Sequence, residues 1–182
     1  FGVLNYAYAL EQLEYAFYVQ VLQTPYSGMT DAERSVFTDL RAHEGIHRDF
    51  LATALGTNAI PGLTPDFSSI TFTSKQSVLT AAVTFEDLGI AAYNGAGQYL
   101  RDPDLLTIAG KIVSVEARHA SAIRDLILNM TRTGATVGEA GQSVPEVVMG
   151  DALDRALAPG VVLDETNGAG AFVMETFAVT GL

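Results

Sequence analysis

Residues 41–50 read RAHEGIHRDF, and residues 111–120 read KIVSVEARHA. Each stretch holds a Glu-x-x-His pair: Glu44-Gly45-Ile46-His47 in the first, Glu116-Ala117-Arg118-His119 in the second. Residues three apart lie on one face of a helix, so each pair can offer a carboxylate and an imidazole to the same ion. One such pair is common on solvated helix faces. Here the chain holds three histidines, His43, His47 and His119, and two of them complete the same motif.

The flanking sequence predicts that both motifs sit in the middle of helices. Leu4, Ala7, Leu10, Leu13, Phe17 and Val21 recur at spacings of three and four, the mark of a first helix over 3–23. Pro25, Ser27 and Gly28 end it. Thr30-Asp-Ala-Glu33 is a capping box that opens a second helix, which runs to Gly56. Residues 57–73 read as a long loop with Pro61 and Pro65. Ser74 caps a third helix that reaches about residue 100, and Asp102-Pro103 opens a fourth that reaches about residue 131. Two helical hairpins joined by one long connection predict an all-α fold, a four-helix bundle with a crossover.

The first and third helices echo each other. Glu11-Gln-Leu-Glu-Tyr-Ala-Phe-Tyr18 aligns with Glu86-Asp-Leu-Gly-Ile-Ala-Ala-Tyr93. Glu11 and Glu86 each lie on an otherwise apolar stripe, where an ionised carboxylate is costly unless it is paired or bound to metal. Both halves of the bundle therefore follow one plan: Glu on one helix, Glu-x-x-His on the next. Four inward carboxylates and two imidazoles make a hard oxygen–nitrogen set whose charge two divalent ions would balance. Without them the carboxylates repel and some stay protonated. Such donors favour iron or manganese, with zinc able to bind and thiolate-seeking ions disfavoured.

Neighbours of this set have two readings each. Glu14 lies near the face of Glu11 and has no counterpart in the second half, where Gly89 stands. It is either a spare ligand or neighbour of the ligands, or a partner for a surface or interface cation. Tyr18 and Tyr93, two turns from the glutamates, are core residues with satisfied hydroxyls, hydrogen-bond donors to ligand carboxylates, or a radical relay. His43 points about 100° away from Glu44 and reads as a surface or packing residue. Arg118 and Arg124 are expected to pair with acidic neighbours such as Asp125.

Composition narrows the partners. The formal net charge is −11, from 10 Lys and Arg against 21 Asp and Glu, which argues against nucleic acid. With 48% apolar residues and 17% charged, the chain as a whole is not disordered, and its dryness points to a homo-oligomer or a subunit of a larger complex. The absence of cysteine excludes disulfides, zinc fingers, iron–sulfur clusters and thiol catalysis. The charge-free stretch 50–65 is interrupted by Gly56, Pro61 and Gly62, so no membrane span is expected. The bundle is expected over 1–133. Residues 134–182 hold eight of the 17 glycines and read as a C-terminal extension packing on the bundle or on a partner. A short helix over 145–157 and a strand or helix over 169–179 are expected within it.

Over residues 3–131 the motif order, the crossover and the Tyr seven residues after the first-helix Glu resemble the ferritin-like di-metal carboxylate superfamily. The Leu10-Glu-x-Leu-Glu-x-x-Phe-Tyr18 opening and the extra C-terminal segment look most like its desiccation-related subgroup. The resemblance implies two iron or manganese ions, with Glu11, Glu44, His47, Glu86, Glu116 and His119 as ligands and Glu44 and Glu116 bridging. It implies an oxidoreductase of ferroxidase, peroxidase or catalase type, acting on a small oxidant or on Fe(II). The alternatives are a structural or accessory subunit with a non-catalytic metal site, and a metal-free bundle. The resemblance, the lack of cysteine and the start at Phe1 rather than Met also carry the expectation of a periplasmic or extracellular protein, with the cytoplasm the alternative. No Cys-x-x-Cys is present to hold an electron-donating iron centre, and residues past 131 do not follow a cage-forming ferritin pattern.

Overall fold

A computed structural model describes residues 1–132 and 154–162. It contains four long helices, α1 (Gly2–Gln23), α2 (Asp31–Leu55), α3 (Lys75–Ala96) and α4 (Pro103–Arg132), and no strand among the described residues. The boundaries follow from local chemistry. The Thr30 hydroxyl accepts from the Glu33 amide at 3.2 Å while the Glu33 carboxylate accepts from the Thr30 amide at 2.8 Å, closing the predicted capping box of α2. Ser74 caps α3 through the Ser77 amide, and Asp102 accepts from the Asp104 amide just before α4. Helix α2 ends at Gly56, whose φ of 54° is a left-handed backbone that glycine adopts freely.

Packing pairs α1 with α2 and α3 with α4, as two antiparallel hairpins. The connection between them runs along α1. Asn5 donates to the Asn58 carbonyl and accepts from the Ile60 amide; Gln12 accepts from the Leu63 amide; Phe17 touches the rings of Phe67 and Phe72. The crossover thus travels the length of the first hairpin and delivers α3 parallel to α2.

The core is divided by the polar layer in its middle. Near the crossover's far end, Phe17, Tyr18, Tyr26, Phe37 and Phe85 pack with Phe67 and Phe72 from the loop. At the other end Ala7, Leu51, Tyr93 and Ile112 form a separate cluster. The segment 154–162 lies against α3: the Leu157 amide donates to the Ala91 carbonyl at 3.0 Å, Asn94 donates to the Arg155 carbonyl, and Val162 is fully buried beside Tyr6 and Leu88. Gly95 makes room for this strap, since a Cβ there would fall 1.8 Å from the Leu157 carbonyl oxygen. The expected helix over 145–157 falls mostly outside the described residues. Its last four, 154–157, are not helical; the Leu157 amide and the Arg155 carbonyl bond to α3 instead. The element expected over 169–179 lies outside the described residues.

Candidate metal centre

The polar layer is built from one turn of each helix. Glu11 comes from α1, Glu44 and His47 from α2, Glu86 from α3, and Glu116 and His119 from α4. All four glutamates are 0% exposed and both imidazoles are buried. They form two overlapping groups, Glu11, Glu44, His47 and Glu116, and Glu44, Glu86, Glu116 and His119, each with one ligand atom per residue all within 4.8 Å of one another. Glu44 and Glu116 belong to both groups.

Each imidazole turns Nδ1 toward three carboxylates. His47 Nδ1 lies 2.9 Å from Glu116, 3.2 Å from Glu44 and 3.4 Å from Glu11. His119 Nδ1 lies 2.8 Å from Glu44, 3.1 Å from Glu116 and 3.4 Å from Glu86. A single N–H makes one well-aligned hydrogen bond, not three. Accordingly Glu11 Oε2, Glu44 Oε1, Glu86 Oε2 and Glu116 Oε1 are buried without a hydrogen bond of good geometry, even with imidazole nitrogens this close. A buried cluster with more acceptors than donors is costly, and cations at the two convergence points relieve the cost. The donor set, carboxylate oxygens with one imidazole nitrogen per group and no sulfur, fits divalent iron or manganese and admits zinc.

Proton affinities express the same excess of negative charge. Burial alone would depress the imidazole of His47, but the carboxylates of Glu11, Glu116 and Glu44 outweigh it and hold its pKa up to about 12; Glu116, Glu44 and Glu86 do the same for His119, also to about 12. Glu86 is pushed up to about 8, first by burial and then, against the help of His119, by the charge of Glu44. Burial and the charge of Glu116 raise Glu11 well above the usual carboxylate range. Glu44, between both imidazoles, overcomes its burial and falls to about 2. The cluster holds protons where cations fit.

The surrounding residues bind the two halves to each other. The Tyr18 hydroxyl, from α1, donates to Glu86 Oε1 on α3, and the Tyr93 hydroxyl, from α3, donates to Glu11 Oε1 on α1. Each tyrosine thus orients the other half's glutamate. Glu14 is buried, 2% exposed, with no hydrogen bond or ion pair among the described residues. Its Oε1 sits 3.0 Å from where a Cβ on Gly89 would be. Its burial removes the reading of Glu14 as partner to a surface cation; it is a fifth carboxyl beside the other four, and their charges together with burial raise its pKa well above normal.

Two departures from the sequence reading concern side chains that cross between helices. His43 is exposed, as expected, yet its Nδ1 lies 2.9 Å from His119 Nε2 with the two rings stacked 8° from parallel. Val115 holds the corresponding place in the second motif, so nothing in the internal repeat announces this contact. Arg124 does not pair with Asp125. Its Nη2 reaches both oxygens of Asp87 on α3 at 2.7 Å, while Asp125 accepts from Asn129 and Arg118 donates to Ser114. On α4 the acidic neighbour of Arg124 in sequence points elsewhere, and the bond that forms ties α4 to α3 beside Glu86.

A bundle with one Glu on each of its first and third helices, and Glu-x-x-His on each of the second and fourth, all converging in its core, is a ferritin-type bundle with a carboxylate–histidine cluster able to bind metal. The chain belongs to the ferritin-like domain family, whose sequence profile matches residues 1–129. No curated protein matches it. Among the described residues no helix is long and apolar enough to cross a membrane.

Proposed function

We propose that this protein is a ferritin-like oxidoreductase that holds two iron or manganese ions and acts on a small oxidant, dioxygen or peroxide, or on Fe(II). The observation that carries this reading is the sharing of Glu44 and Glu116 between two imidazole-centred groups. One shared pair of carboxylates flanked by one private glutamate and one histidine on each side is a plan for two ions side by side. Glu11 and His47 would serve one ion, Glu86 and His119 the other. Bound there, the pair would supply one-electron redox changes next to a shielded, low-dielectric cavity.

The chain's own residues do the rest. Tyr18 and Tyr93 fix the rotamers of Glu86 and Glu11 by hydrogen bonds, so the private ligands are held ready. His43 braces the far nitrogen of His119, which leaves Nδ1 facing the carboxylates. Filling the site requires deprotonation of His47, His119 and Glu86, so metal uptake releases protons.

The test is turnover of Fe(II) with dioxygen, or of peroxide, by metal-loaded protein and by Glu44→Ala and His119→Ala. Both variants should lose metal-dependent turnover while retaining helical circular dichroism. Undiminished turnover in both would refute the assignment.

A further inference from the structure

An apolar cavity of about 20 Å³ lies one helical turn from the candidate metal centre, on its Tyr93 side. Its inner wall includes Ala7, one turn before Glu11; Leu51, one turn after His47; Ile112, one turn before Glu116; and the ring of Tyr93, whose hydroxyl bonds Glu11. Its rim includes the partly exposed Phe50 and Leu105. The lining has no charged side chain, and its hydroxyls are those of Tyr6 and Tyr93. The corresponding space on the Tyr18 side holds the fully buried rings of Phe17 and Phe37.

Size and polarity together select the occupant. The volume admits a single small molecule. Water needs two or more polar partners to reside in such a place, and here almost all of the lining surface is carbon. A small apolar molecule meets no such demand. We infer that this cavity is a binding site for one small apolar molecule of the dioxygen class, and that it delivers its occupant to the half-site of Glu11, Glu44, His47 and Glu116. Binding in the cavity depends only on its walls; delivery rests on the oxidoreductase reading above.

Xenon, apolar and somewhat larger than dioxygen, is the probe. In the metal-free protein it should give saturable shifts in the methyl resonances of Leu51 and Ile112, while those of Val78 and Leu79, at the far end, stay still. Ala109→Leu, at a partly exposed lining position, should abolish those shifts with the fold intact; Ala7→Leu, more deeply placed, should do the same and is the second variant if the first rearranges. Absence of xenon shifts, or equal shifts in both variants, would overturn the cavity as a site. In metal-loaded protein Ala109→Leu should raise the apparent KM for dioxygen severalfold without loss of bound metal. An unchanged KM beside normal turnover would overturn delivery and leave the oxidoreductase reading standing. Absence of any turnover in the loaded parent would overturn that reading, and delivery with it, while the xenon result stands by itself.

Discussion

The two ends of this bundle flank the same cluster and treat it differently. On the Tyr18 side the helices are wedged by Phe17, Phe37 and Phe85 and covered by Phe67 and Phe72 of the crossover. On the Tyr93 side the equivalent layer is Ala7, Leu51 and Ile112, and a cavity remains. The repeat supplies both halves with the same carboxylates, the same histidine and the same tyrosine. What it does not repeat, Phe17 against Ala92 in the aligned stretches, decides which half is plugged and which is accessible. Symmetry builds the carboxylate–histidine cluster, and the loss of symmetry around it leaves one end filled with aromatic rings and the other with a cavity.

The largest effect that can test the contrast lies in the cluster. Glu44→Gln preserves volume but removes a carboxylate that both groups use, and should leave no stoichiometric ion; Glu11→Gln removes one that a single group uses, and should leave about one ion per chain. Equal loss in the two variants, measured by elemental mass spectrometry after loading and desalting, would show that the halves are not independent. Next comes packing. Phe17→Ala opens a large hole in the aromatic end and should lower unfolding free energy by about 3–5 kcal/mol in denaturant titration. Leu51→Ala, beside space already present, should fall at the low end of about 2–5 kcal/mol for such a truncation. The reverse order would break the distinction between a packed and an open end.

The pH dependence is subtler. In the metal-free protein Glu86 sits at about 8 against 4.5, and both imidazoles at about 12 against 6.5. A raised value means stability that is fully present below the unfolded-state pKa and lost as pH rises through the folded one. Glu86 therefore sheds stability between about 4.5 and 8, and His47 and His119 between about 6.5 and 12, all in the same direction. Glu44, lowered to about 2, contributes above 4.5 and loses its contribution as pH falls through 2. The metal-free melting temperature should thus decline from pH 6 to pH 9, and stabilisation by added Mn(II) should grow over that interval. A metal-free melting temperature that climbs across it would contradict the charge balance derived for the cluster. The smallest effect is expected at Gly89. An added methyl meets the movable end of Glu14 at 3.0 Å and brings better helix propensity, so Gly89→Ala should change stability by no more than about 1 kcal/mol.

Much of the bundle was legible before any coordinates. The capping box at Thr30, the Asp102-Pro103 start and the three-and-four spacing in α1 are local signals, and local signals place helix ends. The six residues of the cluster stood out because the motif occurs twice and because glutamate on an apolar stripe demands a partner. Contacts between helices were less readable. His43 on His119 and Arg124 on Asp87 depend on how α2, α3 and α4 are rotated against one another, which no short spacing encodes. The burial of Glu14 had a trace in the sequence, since the repeat sets Gly89 against it, but a missing side chain announces space without saying what fills it. The cavity was invisible for the same reason: it depends on how apolar residues from four helices meet.

The central claim is that the six residues hold a pair of ions, and the most direct measurement is metal content per chain. Protein incubated with Fe(II) under argon, or with Mn(II), then desalted and measured by elemental mass spectrometry, should carry two ions per chain, against one in Glu11→Gln and none in Glu44→Gln. A parent protein that carries none at pH 7–8, with its helices intact, would mean that protons, not metals, balance the carboxylates, and would contradict the account.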